Sequence, residues 1–277
     1  MKKILVTTDL SNNSKSALRF AIQLASQNGY DLTFFHVYHI PRPTSWSDAN
    51  FRAFEESESL EVVKQLNKFV NNLYKNLELT HETRHCVAKN GTSVDSVIMD
   101  YANDHNYSFI CISRKGHGKT ARLFGSNISS LIKKSKVPVI AVPDNYRRTK
   151  ISTITYLSDL MNLDKELKKI NTFTEPLDLS VEMLHFKIPL EDIITPHERN
   201  SIDEKLAKFG VNAHYEELDY EKTLIENIRK VIGRTKPSMI IMFTDQKRTL
   251  FKKIFLSSIS AEFSSMVKRP LLVFTKD

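Results

Sequence analysis

Seven glycines occur in the chain, and three of them lie in one stretch, SRKGHGKTARLFGS, residues 113–126. Glycine permits positive φ and close approach of a ligand to the backbone. A helix opening at Ser126 would turn unbonded N–H groups and a favourable dipole toward an anion. Arg114, Lys115, His117, Lys119 and Arg122 add positive charge. The chemistry implied is phosphate or nucleotide binding. A tight basic surface turn, with Ser126 as an ordinary N-cap, accounts for the same residues and stays open beside it. Read as Ser113-x4-Gly118-Lys119-Thr120, the stretch is also one glycine short of a P-loop. Context argues against that version. The stretch follows the fourth strand of its half, Gly125 is expected to interrupt the helix, and no apolar strand ending in a magnesium-binding Asp follows. Lys119 can contact a phosphate in either kind of loop.

HETRH, residues 81–85, matches the zinc-protease spelling H-E-x-x-H. That motif works on a helix, where i and i+4 share a face. Here a strand is expected, and at roughly 3.3 Å per residue His81 and His85 would stand about 13 Å apart. No third ligand follows at useful spacing, so no metal site is expected. His36 and His39 flank Val37 on opposite faces of an extended segment. They read as local hydrogen-bonding residues. No Ser-His-Asp or Cys-His arrangement stands out, and no catalytic residue is assigned.

The elements that must position these residues alternate. KILVTT is a short apolar strand. A helix follows with Ala17, Leu18, Ala21, Leu24 and Ala25 on one face, capped by Ser11 or Asn12 and ended by Gly29. DLTFFHVYHI is a strand, and a long helix is expected from about Ala49 to Leu77, with Trp46 packed against it. TRHCVAK is a strand, SVDSVIMDYANDH a helix, YSFICIS a strand, SNISSLIKKS a short helix and VPVIAV a last strand. Such βα alternation implies a parallel sheet covered on both faces. In an open sheet of this kind ligands sit beyond the carboxyl ends of the strands, at the switch point. Asp9 and the glycine stretch follow the two strands that meet there.

The second half repeats the first. ISTITYLSDL aligns with KKILVTTDLS, placing Asp159 opposite Asp9. EMLHFKIP aligns with FHVYHIP, KPSMIIMFT with NYSFICISR, and KRPLLVF with KVPVIAV. Four strands recurring in order mark a tandem duplication. The boundary falls in the polar stretch PDNYRRTK, giving one domain over 1–146 and another over 150–277. In the second copy the glycine positions hold Thr244, Lys247 and Ser257, with Ser258 following, and such side chains would crowd a phosphate. That copy is read as degenerate.

Residues 1–150 carry 21 Lys and Arg against 13 Asp and Glu, and residues 151–277 carry 19 against 19, so the net charge of +8 lies in the first half. The basic half suits an anionic ligand or solubility. No helix-turn-helix, aromatic RNP pattern or zinc-finger spacing accompanies it, which sets nucleic acid aside. No apolar run approaches about 18 residues, so no membrane span is expected. The five-residue apolar stretch before Asp9 is too short for a signal-peptide core. Cys86 and Cys111, both in apolar strand-like runs, are expected as buried thiols in a reducing cytoplasm.

On ILVTTDLS, HVYHIP, the glycine stretch closing on Gly125-Ser126-Asn127, and KVPVIAV, each half resembles a universal stress protein domain. The resemblance covers nearly the whole chain in strand order. It implies two tandem doubly wound, Rossmann-like α/β domains, each with a five-stranded parallel sheet of order 3-2-1-4-5. It implies ATP, with Mg2+ as the accompanying ion, held in the first domain. Thr8 and Asp9 would take the adenine or ribose side, and the Val37 backbone would meet the adenine. Gly116, His117, Gly118, Gly125, Ser126 and Asn127 would surround the phosphates. The family's loop has nine residues before its last glycine, and here eight lie between Gly116 and Gly125. The resemblance further implies a cytoplasmic stress-response protein, an intramolecular pseudo-dimer of the two domains, and homodimerisation as a further step. ATP hydrolysis is at most weak, since no general base is evident. The alternative function is a nucleotide-independent module of the same fold that binds an unnamed protein partner.

Overall fold

The computed structural model describes residues 2–79, 85–114, 121–187, 195–244 and 268–274, with the backbone alone at 121–126. The first half runs β1 (Lys3–Thr7), α1 (Lys15–Asn28), β2 (Asp31–Tyr38), α2 (Asp48–Asn76), β3 (His85–Asn90), α3 (Val94–Asp104), β4 (Phe109–Arg114), α4 (Ala121–Lys134) and β5 (Val139–Pro143). The second runs β6 (Thr153–Leu157), α5 (Leu163–Thr174), β7 (Ser180–Lys187), α6 (Pro196–Lys208), β8 (Val211–Glu217), α7 (Leu224–Thr235), β9 (Met239–Phe243) and β10 (Leu271–Phe274).

The ten strands of the described residues form one sheet of order β3-β2-β1-β4-β5-β10-β9-β6-β7-β8. Each half therefore has the order 3-2-1-4-5, and every pairing within a half is parallel. The halves meet where β5 and β10 pair antiparallel, with Ala141 opposite Leu271. The chain is an α/β protein built of two tandem Rossmann-like units.

The period-two alternation of a strand divides the core between the faces. Ile4, Val6 and Phe34 face a cluster with α1, α2 and α5, whereas Leu5, Phe35 and Ile110 face one with α3, α4 and α7. Middle strands are buried on both faces, so β5 and β9 read as unbroken apolar runs.

Side chains reinforce the junction of the halves. Phe173 of α5 lies edge-on to Phe109 with ring centroids 5.4 Å apart. The amide of Gln27 donates to the Ile151 carbonyl and accepts from the Ile151 N–H, both at 2.9 Å. Tyr146 meets Phe20 edge-on at 5.4 Å. Arg114 is buried at the end of β4 and donates to the Arg269 carbonyl at 2.9 Å.

Three expectations need correction. Helix α1 opens at Lys15, later than a cap at Ser11 or Asn12 implies, because Leu10 takes a left-handed φ of 62° and a further turn intervenes; Ser14 in the N-cap place makes no side-chain cap bond, and Ser11 Oγ accepts from Ser14 N–H at 3.3 Å. The helix does end at Gly29, whose φ is 70° and whose N–H donates to Ala25 at 2.8 Å. Cys86 is only half-buried, since β3 is an edge strand, whereas Cys111 in central β4 is fully buried and its thiol pKa is pushed up by desolvation. Helix α4 opens at Ala121, not near Ser126, and runs through Gly125. The broken helix is thus no argument against a P-loop, although the position after the fourth strand still is. Trp46 packs edge-on against Phe54 of α2, with ring centroids 5.2 Å apart. Of HETRH, His85 opens β3 and the other four residues lie outside the described residues. Among the described residues no group of three His, Cys, Asp or Glu side chains is placed to hold a metal ion. Among them also, no helix is long and apolar enough to cross a membrane.

Candidate nucleotide crevice

The chain leaves β1 at Thr7 and turns at once. Thr8 donates its N–H to Phe35 of β2 at 2.9 Å, and its hydroxyl accepts from Leu10 N–H at 3.0 Å. The same hydroxyl shares a 2.7 Å hydrogen bond with Ser14. Asp9 Oδ1 accepts from Ser11 N–H at 3.0 Å, an Asx turn that fixes the carboxylate at the strand end. Among the described residues no partner is recorded for the second Asp9 oxygen. His36 Nδ1 lies 2.8 Å from the Thr8 carbonyl. That histidine holds the turn in place, whereas His39 is exposed beyond the end of β2.

Across the switch point, Ser113 near the end of β4 is tied to the start of α1. Its hydroxyl donates to the Asn13 carbonyl at 2.7 Å and shares a 2.6 Å contact with Ser16. The α1 N-terminus carries no acidic residue in its first turn, so its dipole is free to favour an anion.

Between these elements lies a crevice of about 160 Å3. Thr8, Asp9, Ser11, Asn13, Ser113 and Asn127 line its polar side, and Phe35, Val37, Val94, Ile98 and Ile112 its apolar side. Strand β1 ends opposite Phe35, while β2 continues to Tyr38. Because Phe35 aims its carbonyl at Thr8, the period of two directs the Val37 N–H and C=O the same way, beyond the end of β1.

Of the sequence candidates, the fold brings Thr8, Asp9, Val37 and Asn127 to one crevice. Gly116, His117 and Gly118 lie outside the described residues. Gly125 and Ser126 sit inside α4, immediately before Asn127. Sequence reasoning missed Ser11, Asn13 and Ser113 as wall residues. The run SNNS after Asp9 carried a signal, a cluster of short polar side chains on a strand-to-helix loop. Ser113 had been weighed only as an absent glycine.

The crevice walls are braced. Asp95 in the first turn of α3 accepts from Ser130 of α4 and, at 2.8 Å, from Ser93. These bonds, Ser130 first, lower the Asp95 pKa.

The second half repeats the turn. Ser158 N–H donates to Leu184 at 3.1 Å, its hydroxyl accepts from Leu160 N–H at 3.0 Å, and Asp159 Oδ1 accepts from Met161 N–H at 3.0 Å. Leu160 has φ 66°, and His185 Nδ1 lies 2.9 Å from the Ser158 carbonyl. Asp159 is 0% exposed and His185 1%, whereas Asp9 and His36 are half-buried. Of the positions replacing the glycines, Thr244 follows β9, and Lys247, Ser257 and Ser258 lie outside the described residues.

Solved structures share the whole arrangement. That of a universal stress protein from Archaeoglobus fulgidus matches 99% of this chain and 96% of its own, at 17% identity and a TM-score of 0.66. A functionally unknown protein from Pseudomonas aeruginosa PAO1 matches 100% and 93%, at 14% identity and a TM-score of 0.62. At these identities the likeness speaks to the fold. A universal stress protein in complex with cAMP matches 53% of this chain and 98% of its own, at 17% identity and a TM-score of 0.38. No curated protein matches the chain. The family model described as the universal stress protein family matches residues 1–143, more than half of the sequence, and the chain belongs to that family.

Proposed function

We propose that the first half binds an adenine nucleotide, ATP with Mg2+, in the crevice between the ends of β1 and β4, and that the protein acts in stress response and signalling. The observation that carries this is the convergence of Asp9, the Val37 backbone and Asn127 on one partly apolar crevice at the switch point. An adenine fits the slot between Val37, Ile98 and Ile112. The second Asp9 oxygen accepts from the base or the ribose. At about 160 Å3 the described crevice is smaller than the roughly 300–1,000 Å3 of whole small-molecule sites. It suits the nucleoside, with the phosphates lying past Asn127, and Gly116, His117, Gly118, Gly125 and Ser126 are the residues we assign to them. No residue is assigned a catalytic role, and ATP turnover is slow at most.

The division at 146 and 150 belongs to the same reading, as does pairing of the two domains within one chain. The β5–β10 ladder and the Gln27–Ile151 bonds support it. Homodimerisation would be a separate step using other surfaces. Two free cysteines suit the cytoplasm. A second reading, a nucleotide-independent interaction module, is favoured by exposed apolar side chains at the start of α2, Trp46, Phe54 and Leu60.

Calorimetry with Mg-ATP tests the site. Asp9→Ala should weaken binding about tenfold to a hundredfold, the worth of a hydrogen bond to a charged group. Absence of any ATP or ADP binding to the parent at about millimolar ligand, where a ligand of useful affinity raises stability, would overturn the nucleotide reading and leave the interaction module.

A further inference from the structure

Apart from the Asp9 crevice, a groove of about 730 Å3 lies between the linker after β5, the end of α7 and the approach to β10. Five cations line it: Arg147 from the linker, Arg229 and Lys236 from α7 and its cap, and Lys268 and Arg269 before β10. Among the described residues no lining residue is acidic. We infer that this groove binds a small anion carrying two or more phosphate groups.

The five cations come from three segments far apart in sequence, so their convergence is a product of the fold. Like charges gathered on one concave wall repel one another, and a bound polyanion removes that cost. Among the described residues none of the five has an ion-pair partner within contact distance, and Glu226, one turn before Arg229, is an electrostatic neighbour of that arginine and of Lys222 outside the groove. Lys236 is the C-cap of α7 in the left-handed region, φ 48°, where glycine or asparagine is preferred. A lysine there places an ammonium at the helix C-terminus despite the backbone cost. Arg269 is held from behind, since its carbonyl accepts from buried Arg114. Tyr146, Ile232 and Pro270 give the floor an apolar part. The volume falls within the range of small-molecule sites, and the charge is gathered in a hollow, not drawn out as the stripe that tracks a nucleic-acid backbone. One phosphate would leave most of the cations unmatched, which is why the ligand is assigned two or more.

The groove shares no lining residue with the Asp9 crevice, so the two sites can be tested separately. The experiment is calorimetry of the full chain with inorganic tripolyphosphate, which lacks the adenine that the other crevice would read. Binding is expected at low salt, weakening toward about 0.15 M as charge screening grows. The double variant Arg147→Ala/Lys268→Ala, both exposed positions, should fold normally by thermal unfolding and bind at least about tenfold more weakly. Lys64→Ala/Lys68→Ala, two exposed lysines of α2 outside both sites, should bind tripolyphosphate as the parent does. Arg229→Ala/Lys236→Ala gives a second, independent pair with the same expected loss. The inference is overturned if the parent does not bind, if both double variants bind like the parent, or if the α2 pair weakens tripolyphosphate as much as they do. Tighter binding of a short duplex DNA than of tripolyphosphate at equal salt would also overturn it.

Discussion

The turn after β1 and the turn after β6 have the same backbone and the same hydrogen bonds, yet they lie in different solvents. Thr8-Asp9-Leu10 with His36 borders a crevice, while Ser158-Asp159-Leu160 with His185 is sealed. The flanking residues diverge with them. At the offset of 150 that relates the two aspartates, Val6 corresponds to Tyr156 and Ser16 to Glu166. Tyr156 donates to Glu166 and bonds to Ser158 at 2.9 Å, and all three are buried. Desolvation, and then the Glu166 charge, raise the Tyr156 pKa well above its ordinary value. In the first half Ser16 instead reaches Ser113, on the crevice wall. A duplicated turn can therefore keep its geometry while its role passes from presenting a carboxylate to joining a buried polar cluster. Access, not backbone shape, separates the two.

This contrast can be broken by mutation. Tyr156→Ala should be the most damaging change, about 3–5 kcal/mol by analogy with other buried aromatic truncations. Denaturant unfolding giving less than about 1 kcal/mol would show that the cluster is not structural. Asp159→Ala should cost about 1–3 kcal/mol, because the carboxylate is itself fully buried and its loss empties a sealed polar site and takes the acceptor from Met161 N–H. Asp9→Ala, where water can reach the freed Ser11 N–H, should cost below about 1 kcal/mol in the same assay. Equal losses for the two aspartates would erase the distinction drawn from their burial.

The smallest effect sharpens the comparison at the helices behind the turns. Helix α7 caps itself with a reciprocal box between Thr223 and Glu226, whereas α3 leans on α4 through Asp95 and Ser130. Ser130→Ala should cost about 0.5 kcal/mol at neutral pH, the low end for a hydrogen bond to a charged group that water also reaches. The Asp95 pKa is lowered in the folded state, so its contribution is complete above the unfolded carboxylate value of about 3.9. It fades as pH falls through the lower folded value. The gap between parent and variant should close along that acid limb, and a constant gap would show that Asp95 is not its source.

Much of this architecture was legible in the chain. The parallel sheet followed from the alternation of apolar runs with helical faces, its order 3-2-1-4-5 from the family resemblance, and the repeat from the pairing of ILVTTDLS with ITYLSDL. The place of Asp9 at the carboxyl end of β1, beside the switch point, was legible from the same alternation. The start of α4 was not. Gly125 suggests a helix boundary because glycine costs about 1 kcal/mol in a helix interior, yet the surrounding sequence overrides it. The half-burial of Cys86 depends on β3 lying at an edge, which an apolar run does not reveal. Nor does any sequence window bring Arg147, Arg229 and Lys268 together. The second half is neutral as a whole, so its part of the basic groove vanishes in the charge count.

Strand β10 follows every other strand in the chain, yet it lies at the centre of the sheet between β5 and β9. A chain emerging from the ribosome can build the first five strands early, but β5 must then wait as an open edge while four more strands are made. Unpaired edges invite the wrong partner. A chain stopped before Leu271 would keep two open apolar strands side by side, and a neighbouring copy's β10 is the segment best matched to close them. The seam that unites the halves is thus also the place where two nascent chains are most exposed to exchanging strands.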